Sequence, residues 1–391
     1  AIAGAVLKII TLKIVIPGIV YLFEPKMLLF MHRIFKSLAY SLLTAIVFVS
    51  LAFAQQKKYQ PPALSDPNAW TVVMLPDPQS YGKFARNQPI FELMTAWIKD
   101  NIERLHIRLV ICTGDLVNQN NMIDPDGIDG DQPSKSQWEA VSHAFNCLDG
   151  RIPYILTTGN HDYGYRNISI RHSNYNKYFP EDKNFKTQEL LREASLNAEG
   201  IPTMENAAFE FSSPRGRKFL LFNLEFAPRD TVLRWAKRMA GREKYKDHTG
   251  IVLTHAYLNA KNERIAKENY PVTDGNYGED IWRKLIQPSP NIQMVFSGHI
   301  GAPDNAREHV GFRQDKNAAG KKVSQMVFNA QAMGGGWNGN GGDGWLRILE
   351  FQPDDKTVKV KTFSPLFAIS PSTQELAWRT EVYDQFDFQI D

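Results

Sequence analysis

The chain has 391 residues, 43% of them hydrophobic and 22% charged, with a formal net charge of +3. Those proportions exclude a disordered or fibrous chain and provide for a packed core in one large domain or two small ones. The positive charge is carried by the N-terminal end: residues 1–54 hold five Lys or Arg against Glu24, a net of +4 that leaves −1 for the rest, so the sequence offers no clustered positive charge for nucleic acid.

Residues 1–54 read as a leader. Arg33 and Lys36 give a basic start after Met31, residues 37–53 are an apolar run, and Ala52 and Ala54 are the small residues a signal peptidase inspects. Cleavage is therefore expected after Ala54, with a secreted or periplasmic product. An uncut anchor is the alternative, because the run approaches spanning length, and a membrane enters only in that case. Residues 1–26 read as lying upstream of the leader proper. Export would place Cys112 and Cys147 where pairing is possible, but Cys112 sits in an apolar run and reads as a small core residue, so a disulfide stays open.

From Trp70 onward, short β-branched or aromatic runs alternate with stretches of helical spacing. Residues 70–75, 108–113, 153–158, 219–224, 251–254 and 293–297 predict strands, mostly continuous apolar runs as in a sheet covered on both faces. Residues 91–105, 135–148, 231–239 and 279–285 predict helices, and the alternation argues for an α/β architecture of crossover units. After His299 the pattern turns to strands at 322–331, 345–351 and 358–362, with Pro353-Asp354-Asp355 as a hairpin turn, and predicts a second, more antiparallel sheet. The main domain is placed at 66–365, followed by a tail, 366–391, with an edge strand at 386–390.

Two segments interrupt this order. Residues 163–206 form a polar and aromatic insertion with one predicted helix, 188–196, read as either a binding loop beside a site or a surface excursion. In it Arg166, Arg171, Tyr175 and Tyr178 are candidates to hold a phosphate or a leaving group, or else a solvated surface. The run from Gly334 to Gly344, carrying Trp337, is read as a loop whose backbone approaches something closely, or as a hairpin tip.

Chemistry-bearing residues gather just past the predicted strands: Asp77-Pro78-Gln79, Gly114-Asp115, Gly159-Asn160-His161-Asp162, Thr254-His255 and Gly298-His299. Strand ends in an α/β sheet share one edge, so these clusters read as one metal centre in pieces. Oxygen and nitrogen donors without cysteine suit Mn, Fe or Zn rather than copper or a thiolate-bound zinc. The remaining histidines, His32, His106, His143, His172 and His248, are read as structural or exposed.

The order Asp-x-His/Gln, Gly-Asp, Gly-Asn-His-Asp, lone His and Gly-His resembles the calcineurin-like metallophosphoesterases over roughly residues 70–365. That resemblance implies a sandwich of two mixed β-sheets flanked by helices, with two divalent ions at their edges. It implies Asp77 and Gln79 on the first ion, a bridging Asp115, and Asn160, His255 and His299 on the second. His161 is then a catalytic group near the phosphate, with Asp162 available to orient it. The implied reaction is hydrolysis of a phosphate monoester or diester of a small or lipid-like molecule by metal-activated water. Asn118 stands where the related purple acid phosphatases carry a metal-binding tyrosine, which argues against an iron-tyrosinate centre. The chain departs from the pattern at Gly301, where the family has a second histidine, so the first site is weakened and water, a substrate oxygen or a nearby group such as Asp304, Asn305 or His309 is expected to fill the place. A non-catalytic binding or scaffold protein holding one structural metal is the alternative.

Overall fold

The computed structural model describes residues 13–16, 19–22, 30, 33–38, 40–41 and 59–391 apart from 129 and 166–167. The chain divides at Lys58 into two units. In the first, Lys13–Ile16 and Ile19–Leu22 pair as an antiparallel hairpin, and no described helix is long and apolar enough to cross a membrane. The expected cleavage point after Ala54 and most of the apolar run before it lie outside the described residues.

The second unit is built on two mixed sheets. One contains β1 (Trp70–Leu75), β2 (Ile107–Cys112) and β3 (Tyr154–Leu156). The other contains β4 (Leu191–Leu196), β5 (Pro202–Ser212), β6 (Lys218–Asn223), β7 (Thr249–Leu253), β8 (Ile292–Ser297), β9 (Val310–Lys316) and β10 (Lys322–Phe328). The chain then returns to the first sheet with β11 (Leu346–Phe351), β12 (Thr357–Phe363), β13 (Trp378–Arg379) and β14 (Phe386–Gln389). The orders are β13-β12-β11-β1-β2-β3, with β14 also on β12, and β9-β10-β8-β7-β6-β5-β4.

This corrects the expectation of a separate C-terminal sheet. The strands after His299 divide between the two sheets: β10 lies parallel to β8 and β11 antiparallel to β1. The tail is part of the first sheet, since both β13 and β14 pair with β12.

Alternation along the strands explains why both sheets read as continuous apolar runs. Phe219 and Leu221 of β6 join Met74, Leu253 and Phe296 in the core between the sheets. Leu220 and Phe222 face the other way, onto Val232, Leu233 and Trp235 of the helix Asp230–Ala240. Trp70 spans the sandwich, stacked 4.3 Å from Phe351 in its own sheet and meeting Phe219 of the other edge-on at 5.7 Å. On the outer face of the first sheet lie two helices, Gln88–Asn101 and Ser134–Asn146. The first has Pro89 in its first turn and the second follows Pro133, and each buries one stripe, Phe91, Met94, Thr95 and Ile98 in the first, Trp138, Val141 and Phe145 in the second. Cys112 and Cys147 are free thiols.

Register places the site. Leu75 lies level with Cys112, Cys112 with Leu156, and Leu253 with Phe296. The loops that leave these strand ends therefore start at one edge, three from the first sheet and two from the second.

Candidate metal centre

Asp115, His255 and His299 bring one donor atom each within 4.8 Å of one another. His255 Nε2 stands 3.1 Å from Asp115 Oδ2 and 3.2 Å from His299 Nδ1. The tautomer of His255 follows from its far side, where Nδ1 donates to the Thr113 carbonyl at 2.6 Å and leaves Nε2 for the centre. Glu268 Oε1 lies 3.6 Å from His299 Nε2, a carboxylate neighbour on the far side of that ring. Asp115 and His299 both hold left-handed backbone conformations, φ 48° and 81°, a strain that the surrounding contacts sustain at the site.

Two motif glycines are there because site carboxylates occupy the space of a side chain. A Cβ at Gly159 would stand 2.0 Å from Asp115 Oδ1, and one at Gly298 would stand 2.2 Å from Asp77 Oδ1. Asp77 is wholly buried and accepts from Thr113 Oγ1 at 2.7 Å, the His299 amide at 2.9 Å and Asn329 Nδ2 at 2.6 Å. Asn160 is buried and lines the same cleft as Asp115 and His299. Gln79 lines it too, its amide donating to the Gln331 side chain while its own buried Oε1 has no hydrogen-bond partner.

The electrostatics follow from buried charge. Burial opposes ionisation of Asp115, yet the imidazoles of His255 and His161 hold its carboxyl well below the usual range. Burial alone would lower His255, but Asp115 and Asp77 outweigh it and hold the ring up at about 9. Burial raises Asp77 to about 7, against the pull of His255. His299 is lowered, chiefly by burial. A carboxylate and an imidazole that line one cleft, a second imidazole buried against both, and the unpartnered Gln79 amide oxygen beside them are the donor set of a hard or borderline divalent cation, so the residues fit such an ion.

His161 lies beside this cluster. Its backbone N–H donates to Asp115 Oδ1 at 3.0 Å, and its Nδ1 donates to the Asn118 carbonyl at 2.6 Å. The orienting partner is thus Asn118, not Asp162. The Asp162 carboxylate instead accepts from the amides of Leu116, Val117 and Gly159 at 3.1, 3.0 and 2.8 Å, so it ties the Asp115 loop to the Asn160 loop. Burial and the charge of Asp115 raise its carboxyl to about 8.

Of the side chains expected to stand in for the missing histidine, His309 packs against Gly301, and it and Asp304 are engaged by other partners. Asp304 accepts from the Gly335 amide at 2.9 Å, and His309 is held between the Asn305 carbonyl and the Ala332 amide. Gln331 reaches the cleft instead. The reading of residues 322–331 as one strand hid it, because the strand ends at Phe328 and frees Asn329 and Gln331 to turn inward. Lys83, Tyr270 and Trp337 also line the cleft and carried no metal-type signal.

The insertion departs from expectation as well. Residues 191–196 form an edge strand rather than the end of a helix, which covers only Phe185–Leu190. Arg171 is buried among Glu225, Asp274 and the carbonyls of Phe226 and Ala227, Tyr175 donates to the Leu156 carbonyl, and Tyr178 stacks on Trp138. These are structural contacts, and Arg166 lies outside the described residues. His172 and His248 pair with Glu199 and Glu210, away from the centre.

The sequence profile of the family described as calcineurin-like phosphoesterase matches residues 70–303, more than half of the chain. Over 301 residues the chain is 29% identical to the uncharacterized protein YvnB of Bacillus subtilis (strain 168), covering 76% of this chain but 20% of that protein. Among solved structures it is similar to GAP50, the anchor in the inner membrane complex of Plasmodium, with 11% identity, a TM-score of 0.40 and coverage of 83% of this chain and 89% of that one. It is also similar to PhoD, with 11% identity, a TM-score of 0.41 and coverage of 85% and 72%. For the phosphopantetheinyl hydrolase PptH from Mycobacterium tuberculosis the values are 12%, 0.33, 67% and 89%.

Proposed function

This chain belongs to the calcineurin-like phosphoesterase family, and from that membership we propose that it hydrolyses phosphate monoesters or diesters of small or lipid-like molecules. The observation that supports this reading is the placing of His161 against Asp115, in the cleft that Asp115 and His299 of the metal-ligand cluster also line. Asp115, Asn160, His255 and His299 would hold one divalent ion, Mn, Fe or Zn, and Asp77 and Gln79 with Gln331 a weaker second. Such ions supply a Lewis acid for the phosphoryl oxygens and make water nucleophilic near neutral pH.

The chain's own residues supply the rest. His161, with Nδ1–H committed to Asn118, presents Nε2 to the cleft. In its imidazolium form the ring also carries a proton on Nε2: as the water oxygen bonds to phosphorus, its proton passing to solvent, and the ester P–O bond breaks, that Nε2–H donates a hydrogen bond to a phosphoryl oxygen or its proton to the departing oxygen, leaving the ring neutral with Nδ1–H on Asn118. Asp115 and the Asn118 carbonyl fix where that nitrogen points. Lipid-like substrates and an exported setting are part of the same proposal.

The test is turnover of p-nitrophenyl and bis-p-nitrophenyl phosphate by the purified protein supplied with Mn, Fe or Zn. Asp115→Ala and His161→Ala are each expected to lower kcat by at least about a hundredfold. Unchanged rates in both would sink the assignment. A second reading, one structural ion without turnover, is favoured by Gly301 and by the engagement of the Gln79 amide with Gln331. Metal analysis separates the two: one tightly held ion and no turnover is its expected result.

A further inference from the structure

The glycine-rich run that the catalytic reading leaves unused is neither slack nor remote. Gly336–Asn338 forms a short turn of helix, and the segment around it is fastened from several directions. Arg86 donates to the Asn338 carbonyl at 2.9 Å, Lys83 Nζ to Asn338 Oδ1 at 3.2 Å, and Asn87 Nδ2 to the Gly339 carbonyl at 2.8 Å. The Gly335 amide donates to Asp304 at 2.9 Å and the Gly344 amide to Tyr81 Oη at 3.0 Å. Between these anchors Trp337 stays 41% exposed while lining the metal cleft. A ring already fixed by its loop at the wall of a cleft offers a flat surface on which a planar group can stack without ordering the protein.

Its surroundings indicate what that group is. The cleft, about 300 Å³, is lined by Lys83, His161, Tyr270, His299, Gln331 and Trp337. Tyr270 stands edge-on to the His299 ring at 6.2 Å and to Phe226 at 5.2 Å. The volume admits a phosphoryl group at the ion site together with one ring-sized substituent. A ring fixed in advance loses little freedom when another ring stacks on it.

We propose that Trp337 forms a leaving-group subsite, and that the preferred substrates are phosphate esters whose leaving group carries a planar aromatic ring beside the ester oxygen. This rests on the hydrolytic reading for the word substrate but not for the binding. The chemistry is stacking, so the selectivity is for flatness and not for a particular hydrogen-bonding pattern.

The test uses ligands that cannot turn over. Phenylphosphonate and methylphosphonate are titrated by calorimetry into the full chain loaded with Mn2+. The phenyl compound is expected to bind about tenfold more tightly. Trp337→Leu should bring the two within about twofold, while Trp337→Phe, which keeps a ring, retains most of the preference. Equal binding by the parent protein, or a preference that survives Trp337→Leu, overturns the subsite. So does a preference abolished by Tyr270→Leu but not by Trp337→Leu. Absence of p-nitrophenyl phosphate turnover with an intact Trp337-dependent phenyl preference would sink the catalytic reading alone and leave the subsite standing.

Discussion

Gly301 stands where the family carries a second histidine, and its neighbour shows why a histidine cannot simply be restored. A Cβ at that position would meet His309 Nε2 at 2.6 Å. His309 is wholly buried, its Nδ1 donating to the Asn305 carbonyl at 2.9 Å and its Nε2 accepting from the Ala332 amide at 3.4 Å. Gly301→His alone is therefore expected to overpack the loop, costing about 1–3 kcal/mol without adding an ion. Pairing it with His309→Ala opens the space a new imidazole needs. The double variant should then hold close to two ions per chain where the parent holds one firmly, read by elemental analysis after gel filtration. A double variant with the parent's metal content would show that Gly301 does not limit the first site, and that Gln79 and Gln331 do.

Secondary-structure elements carry the next level of explanation, and Arg171 shows how one side chain can fasten two of them. It leaves the insertion after Asp162, pairs with Asp274 at 3.0 Å and approaches Glu225, which Arg229 also holds at 2.7 Å. Arg171→Ala leaves two carbonyls and part of a buried carboxylate without a donor, so a loss of about 2–4 kcal/mol is expected. A fall in the denaturant midpoint at an unchanged slope is the measurement. A change within about 0.5 kcal/mol would mean that Arg229 suffices. The same network explains what was legible in the sequence. The five clusters past the strands were readable because their strands have both faces buried, and the resemblance to a known family ordered them. Residues 191–196 were not: Leu, Arg, Glu and Ala favour a helix, and only pairing with Pro202–Ser212 makes them a strand. That partner strand was hidden in turn by Thr203, Glu205 and Asn206, buried polar residues of which Thr203 donates to Glu205 while Glu205 and Asn206 also bond to other segments. Glu205 accepts from Tyr163 Oη at 2.7 Å, and Asn206 Nδ2 donates to Glu225 at 2.9 Å. Trp337 was out of reach for another reason, since glycine content alone does not say whether a loop is slack or pinned.

On the scale of the whole molecule, two sheets meet at an edge where buried carboxylates and imidazoles face one another, so folding, proton binding and metal binding are linked. Consider the protein without a bound cation. His255 is raised to about 9 from an ordinary value of about 6.5, so its contribution to stability is complete below that ordinary value and is lost as pH rises toward 9. Asp77 and Asp162 are raised to about 7 and about 8, so the folded state also holds their protons more tightly than the unfolded chain does. Their contribution fades as pH climbs through those values. Asp115 has the opposite sign, but its window lies below its ordinary carboxylate value and does not enter near neutrality. His299 and His309, both lowered by burial, act the other way but only up to their ordinary value of about 6.5, so above it the shifts of His255, Asp77 and Asp162 prevail and chelated protein should lose stability toward pH 9. Metal binding should strengthen over the same interval, because the protons on His255 and Asp77 compete with the ion. An ion at a hundred times its Kd adds about 2.7 kcal/mol. Denaturant midpoints measured at pH 6 and pH 9, with EDTA and with Mn2+ held at one concentration, should accordingly diverge. The chelated curve falls with pH while the gap between the two widens. Parallel curves would mean that these buried groups titrate independently of the ion, and the centre would then lie elsewhere in the cleft.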